Sequence, residues 1–291
     1  MVIDIHSHLP RTTVAPSAPV AFTAPARPDT APEDVHSLDR FVQAMQAVDR
    51  AIVFNVASPP AAVEAPEWFM GPARQINDEI AAFVREHAPR FIGFLSVHPA
   101  DPACLDEIER AVFDLGLRGI KLGPNYQHFD PLSAEAFRVY RRAEELRLPI
   151  LLHQGTSPDQ FAELDYAHPR HIDRVAIAFP KLRMVLAHMA HPWQIDCIAV
   201  IRKHPHVYAD VSALFYRPWS HYNCMRLATE WGVLHKLLFG SDCPAAATPT
   251  ETMVRMRQVN GILAGTALPP VPEEAIEEII HRNSLALLGL E

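Results

Sequence analysis

The chain is short of cysteine, of positive charge, of long apolar runs and of glycine-rich loops, and each shortage removes a class of protein. Cys104, Cys197, Cys224 and Cys243 are the only cysteines in 291 residues and form no C-x-x-C pair. A disulfide scaffold or a zinc ribbon would need more of them, or closer spacing. Free thiols in a cytoplasmic protein are the plain expectation. Lys and Arg number 26 against 34 Asp and Glu, a formal net charge of −8, whereas a nucleic-acid surface needs a basic stripe. No apolar run reaches the roughly 18 residues of a membrane span. The opening Met-Val-Ile-Asp-Ile-His carries charge where a signal peptide needs an apolar core. No glycine-rich phosphate loop follows a strand pattern, which disfavours a nucleotide-binding sheet. What is left is a soluble protein acting on a small-molecule substrate, with no nucleic acid or membrane as partner.

Proline and histidine are plentiful, at 27 and 16 residues. The prolines imply many ordered loops. Six of them fall at positions 10, 16, 19, 25, 28 and 32, so residues 10–36 read as a long Pro-rich loop rather than a helix. A loop of this length in a compact protein suggests a lid that shapes specificity or a contact with a second subunit. A homodimer is the base-rate expectation.

Short apolar runs alternate with helix-length segments along the rest of the chain. Strands are predicted at 2–6, 51–56, 91–97, 119–122, 149–153, 183–188, 207–211 and 237–239. Helices are predicted near 37–48, 73–87, 102–115, 133–146, 171–179, 192–203, 219–231, 251–263 and 272–288. Strands alternating with helices imply a parallel sheet. Eight such units in 291 residues fit a single (β/α)8 TIM barrel over 1–291, which typically needs about 250 residues. A doubly wound open sheet, or two ordinary domains, is the competing arrangement. Neither a domain-scale linker nor an internal repeat is visible.

The polar residues that interrupt these strands sit at their ends. His6 and His8 are two apart, and residues i and i+2 of a strand share a face. His153 ends the fifth strand, His188 the sixth, and Asp242 follows the eighth. In a βα barrel the C-terminal strand ends form the active-site rim, so all five would meet at one mouth. Imidazole nitrogen and carboxylate oxygen suit zinc, with manganese or cobalt able to take the same ligands. Each residue alone has a duller explanation: a backbone-bonded histidine, or a turn aspartate. Four strand ends each carrying a ligand-type residue are hard to explain by packing, because burying them without a partner is costly. Cys243, next to Asp242, has no base partner and reads as a buried thiol.

The motifs IDIHSH (3–8), GIKLGPNYQHFDP (119–131), LPILLHQG (148–155), LAHMAHPW (186–193), FGSDCP (239–244) and NSLALLGL (283–290) together resemble the amidohydrolase superfamily. Within it they are similar to the amidohydrolase-2 branch that includes the aminocarboxymuconate-semialdehyde decarboxylase group. The resemblance spans nearly the whole chain and is specific to the branch, not to a substrate. It implies that His6, His8, His153 and Asp242 hold one divalent metal, zinc by default (Zn2+, with Mn2+ or Co2+ as alternatives). It implies catalytic roles for Asp242 in proton transfer and for His188 in polarising water or substrate. Lys121 lies where two-metal relatives carry a carboxylated lysine; a free lysine binding a substrate carboxylate or phosphate is the preferred reading, with a structural lysine buried in an ion pair as the alternative. Tyr126, His191 and Trp193 follow strands four and six and are candidate substrate-binding residues, with loop packing as the alternative for each. Metal-assisted hydrolysis of an ester, lactone or amide is the main functional expectation, tilted by the compact length and the Pro-rich loop. Non-oxidative decarboxylation of a small unsaturated or aromatic acid is the alternative, and a non-catalytic metal-binding barrel is the reading from another class.

Overall fold

The computed structural model describes residues 1–11, 35–60, 69–157 and 162–291. Its strands are β1 (Ile3–His8), β2 (Arg50–Phe54), β3 (Val56–Ala57), β4 (Met70–Gly71), β5 (Phe91–Gly93), β6 (Ile120–Leu122), β7 (Ile150–Leu152), β8 (Met184–Leu186), β9 (Val207–Asp210) and β10 (Leu237–Leu238). Its helices are α1 (Leu38–Ala44), α2 (Ala73–Glu86), α3 (Cys104–Phe113), α4 (Ala134–Glu145), α5 (Pro169–Ala178), α6 (Gln194–Lys203), α7 (Pro218–Glu230), α8 (Pro249–Arg257), α9 (Glu273–Ile280) and α10 (Ser284–Leu288).

Two parallel sheets, in the orders β1-β2-β5 and β10-β9-β8-β7-β6, make up the wall. Parallel bridges Leu95↔Ile120 and Ser7↔Cys243 join them at both edges. The result is a closed (β/α)8 barrel with no exposed edge. β3 and β4 form a separate two-stranded pair between β2 and α2, which no sequence signal announces.

Helix placement follows the apolar spacing. α2 turns Ile76, Ile80 and Phe83 inward, a three-to-four-residue period on one face. Ser37 caps α1 and Ser133 caps α4, each accepting a backbone N–H from three residues on. The helix expected from 102 starts two residues later. Asp101 accepts from Ala103 N at 2.9 Å, and α3 begins at Cys104. The single helix expected over 272–288 is two, because Asn283 accepts the backbone N–H of Ala286 and starts α10 afresh.

Inside the barrel, Ile3, Ile5, Ile52, Phe54, Ile92, Phe94, Leu151, Val185 and Leu238 form one apolar cluster, joined by Leu285, Leu288 and Leu290 from the C-terminal segment. Outside the wall, Ala51, Val53 and their counterparts pack under the helices. β1 changes face along its length. Asp4 pairs with Ala51 and Ser7 with Val53, with a register shift between them. Residues three apart thus face outward together, which a regular strand cannot arrange. The extra residue is a bulge, a device that re-aims side chains. Ile3 and Ile5 point into the barrel before it, and His8, paired with Phe54, points in after it.

Of the Pro-rich loop expected over 10–36, residues 12–34 lie outside the described residues, as do 61–68 and 158–161. No described helix is long and apolar enough to cross a membrane.

Candidate active site

Three ligand-type atoms, on His6, His188 and Asp242, lie within 4.8 Å of one another at the C-terminal mouth. His6 Nε2 is 3.5 Å and His8 Nε2 3.4 Å from Asp242 Oδ1. The His6 ring contacts those of His8 and His188 at centroid distances of 5.5 and 4.9 Å. His153 completes the group through its ring, 5.1 Å from that of His188. All five residues predicted to meet at one mouth do so. The tightest set includes His188, however, while His153 is reached only ring to ring.

The backbone brings them there by close approach and strain. Asp242 and His188 hold left-handed φ values of 59° and 57°, a costly conformation for non-glycine residues that clusters at functional sites. At Gly240 an added Cβ would lie 2.9 Å from the Cβ of His6, so only glycine lets the β10 segment pass this near to β1.

Asp210, at the end of β9, organises the imidazoles. Its Oδ2 is 2.8 Å from His6 Nδ1. Its Oδ1 accepts from His188 N at 2.9 Å, Ser212 N at 3.0 Å and Ser212 Oγ at 2.5 Å. Ser212 Oγ in turn lies 2.8 Å from His188 Nδ1. Since Ser212 gives its proton to Asp210, it accepts one from His188 Nδ1. These bonds assign the Nδ1–H tautomer to both rings and leave both Nε2 atoms as acceptors, the outer-shell arrangement that orients metal-binding histidines. Asp210 and Ser212 are not among the residues expected at the site from sequence. The signal was present: Asp210 is a carboxylate closing an otherwise apolar strand, at the same rim position as the residues it supports.

Electrostatics favour the ligand forms. Burial lowers the pKa of His6, His8 and His153 and takes His188 down to about 4, so these imidazoles are neutral near pH 7, as metal binding requires. Burial pushes Asp242 up, but His6, His8 and His188 around it outweigh that and hold it below the usual carboxylate range. His153 Nε2 is buried with no hydrogen-bond partner. A buried imidazole nitrogen without a partner is expensive, and a divalent ion would satisfy it. Neutral imidazoles, an ionised carboxylate and this orphaned nitrogen fit a metal site.

Lys121 on β6 is 1% exposed. Its Nζ is 3.4 Å from His6 Nε2 and 4.4 Å from the Phe54 ring centroid. Burial lowers it to about 7, against the pull of Asp242 and Asp210. Tyr126 lies edge-on to His153, with ring centroids 4.6 Å apart. His191 and Trp193 are turned to other partners. His191 Nδ1 lies 2.6 Å from Gln194 Nε2, and Trp193 packs on His168 at 4.7 Å. His98, another strand-end histidine, holds loops: its Nε2 lies 2.7 Å from Gln127 O and its Nδ1 accepts from Ala100 N.

A closed parallel barrel with imidazoles and carboxylates gathered at its C-terminal strand ends is the arrangement of a barrel enzyme. The chain belongs to the amidohydrolase family, whose model (the amidohydrolase-2 type) matches residues 3–290. A stretch of 89 residues is 29% identical to 2-amino-3-carboxymuconate-6-semialdehyde decarboxylase of Dictyostelium discoideum; it covers 30% of this chain and only 25% of that protein. A dihydroxybenzoic acid decarboxylase from Polaromonas sp. JS666, solved with manganese and 2-nitroresorcinol bound, superposes with a TM-score of 0.68 at 18% identity, covering 99% of this chain and 97% of that one. A probable 2-pyrone-4,6-dicarboxylic acid hydrolase from Acinetobacter baumannii, with citric acid bound, gives a TM-score of 0.63 at 17% identity and covers 99% of both chains. At these identities the structural likeness shows the fold.

Proposed function

We propose that this enzyme removes a carboxylate from a small carboxylic acid without oxidation, using one divalent ion held by His6, His8, His153 and Asp242, with His188 beside it. The observation that carries the reading is the site's supply of neutral imidazoles and an ionised carboxylate around an orphaned nitrogen, in a chain whose relatives include decarboxylases. Zinc suits the ligand types, and manganese is the ion in the Polaromonas enzyme. When bound, the ion anchors and neutralises the substrate's carboxylate or an adjacent oxygen.

The chain's own residues handle the proton. In the reaction R–CO2⁻ + H⁺ → R–H + CO2, the carbon–carbon bond breaks, and its electron pair is taken up by the proton arriving at that carbon. His188 is the group to deliver it: Ser212 and Asp210 fix its Nδ1 side, so Nε2 faces the other site residues. Burial keeps His188 neutral at rest, its pKa about 4, so the proton it passes on is one drawn from solvent in each turnover. Lys121, depressed to about 7 by burial, is the amine nearest these groups and a hydrogen-bond contact for the substrate carboxylate. Tyr126 borders the same space through His153.

Hydrolysis is the second reading. Asp242, ionised and 3.4–3.5 Å from two imidazoles, is suited to accept a proton from an attacking water. Incubating the metal-loaded enzyme with dihydroxybenzoic acids and with 2-pyrone-4,6-dicarboxylate separates the two. Headspace carbon dioxide is the expected product. Acid release from the lactone without carbon dioxide would replace decarboxylation by hydrolysis.

A further inference from the structure

Asp4 lies on β1, two residues before the first metal-site histidine, yet it faces out of the barrel with Ala51 and is fully buried. No part of the proposed chemistry uses it. Its carboxylate nevertheless collects three hydrogen bonds. Oδ1 accepts from His6 N at 3.0 Å and from Ser241 N at 3.0 Å, while Oδ2 accepts from Ser241 Oγ at 2.5 Å. Ser241 Oγ then accepts from Cys243 N at 3.1 Å. The backbone completes the seam, with Asp242 N donating to His6 O at 2.8 Å and His8 N to Cys243 O at 2.8 Å.

Two things meet at this point. One is the β1 bulge. A carboxylate accepting the N–H two residues on closes an Asx turn, and here that turn spans the register shift between Asp4 and Ser7. A one-residue slip in a strand sends its side chains to the opposite face, so without the bulge His6 and His8 would leave the mouth. The other is Asp242, held at φ 59° between Ser241 and Cys243, both of which are tied into the same network.

We propose that Asp4 and Ser241 are positioning residues for the metal site: acting from outside the barrel, they lock the bulge that aims His6 and His8 and the strained turn that aims Asp242 into one register. The inference rests on the metal reading of the site, not on the choice between decarboxylation and hydrolysis.

The test is a Co2+ titration of metal-free protein followed by visible absorption, with thermal unfolding of the metal-free form alongside. It compares wild type, Asp4→Asn, Ser241→Ala and the double variant. Leu288→Ala, in the apolar cluster with no site contact, calibrates plain destabilisation. The expected result is a Co2+ affinity weakened at least tenfold in either single variant, with altered d–d bands. The double variant should be no weaker than the worse single, because the two act through each other. Leu288→Ala should keep the wild-type affinity and bands while melting lower. Should Ser241→Ala fail to fold, the near-isosteric Asp4→Asn carries the comparison. Wild-type affinity and bands in the seam variants, with only a lower melting temperature, would overturn the inference and leave the metal site standing. A wild-type protein that takes up no Co2+ would overturn both.

Discussion

The two ends of this barrel are built from the same strands and teach different lessons. Toward the N-terminal ends, Ile3, Ile5, Val185 and Leu238 meet Leu285, Leu288 and Leu290 in an apolar plug. At the C-terminal ends, the inward positions are His6, His8 and Lys121, followed by His153, His188 and Asp242 from the turns beyond. The plug is the hydrophobic effect acting on regular backbone. The mouth needs a bulge, two left-handed residues and a buried carboxylate, Asp210, to hold groups that packing alone would not retain. An apolar cluster fills one end and ligand-type residues gather at the other, the division expected of barrels of this kind.

Substitutions at each end can break that division. The largest effect belongs to Asp242→Ala. Without this ligand the ion's charge stabilisation, several kcal/mol, is lost, so turnover should fall by roughly 10³-fold, measured as carbon dioxide release per protein chain at one fixed metal concentration. The metal-free melting temperature should hold or rise, since a strained buried charge is removed. Leu288→Ala is the mirror image: urea unfolding should show a loss of about 2–5 kcal/mol, while turnover measured well below the unfolding temperature is unchanged. Were Asp242→Ala to unfold the protein and Leu288→Ala to abolish turnover, the division between the ends would be wrong. Asp210→Asn keeps the shape and removes the charge. Metal affinity should weaken about 10- to 100-fold, the usual cost of losing an outer-shell partner, read by competition with a chelator.

Acid sharpens the comparison further. Burial holds His6, at 1% exposure, neutral in the folded state with its pKa below 6.5, so the unfolded chain binds the extra proton. The stability this leaves is present above about pH 6.5 and is lost as pH falls, by up to about 1.4 kcal/mol per pH unit for each such imidazole. The metal-free protein should therefore weaken below pH 6.5, and His6→Gln should flatten the curve where Leu288→Ala only lowers it. Parallel curves for wild type and His6→Gln would show that the mouth is not the acid-sensitive end.

Much of this was legible in the chain. Eight apolar runs separated by helix-length segments fix a parallel barrel because strand and helix periods differ. Ligand-type residues at strand ends stand out because they interrupt those runs. Less was visible where long-range pairing decides. The bulge in β1 depends on which residues of β2 stand opposite, and nothing in IDIHSH states it. The β3–β4 pair brings together residues about fourteen apart with no periodic signal. His191 and Trp193 sit beside the right strand but turn to Gln194 and His168, because β8 is followed by a left-handed run at His188, Met189 and Ala190 that redirects the chain. Asp210 was missed for another reason: it supports ligands rather than completing a motif.

Whether the mouth is a metal centre is decided by elemental analysis of protein purified without added metal or chelator, run beside His6→Ala. About one divalent ion per chain is expected, as a mononuclear site of this ligand type holds, with its loss from the variant. Protein that carries no metal and takes up none on titration, or His6→Ala protein that holds as much as wild type, would contradict that assignment.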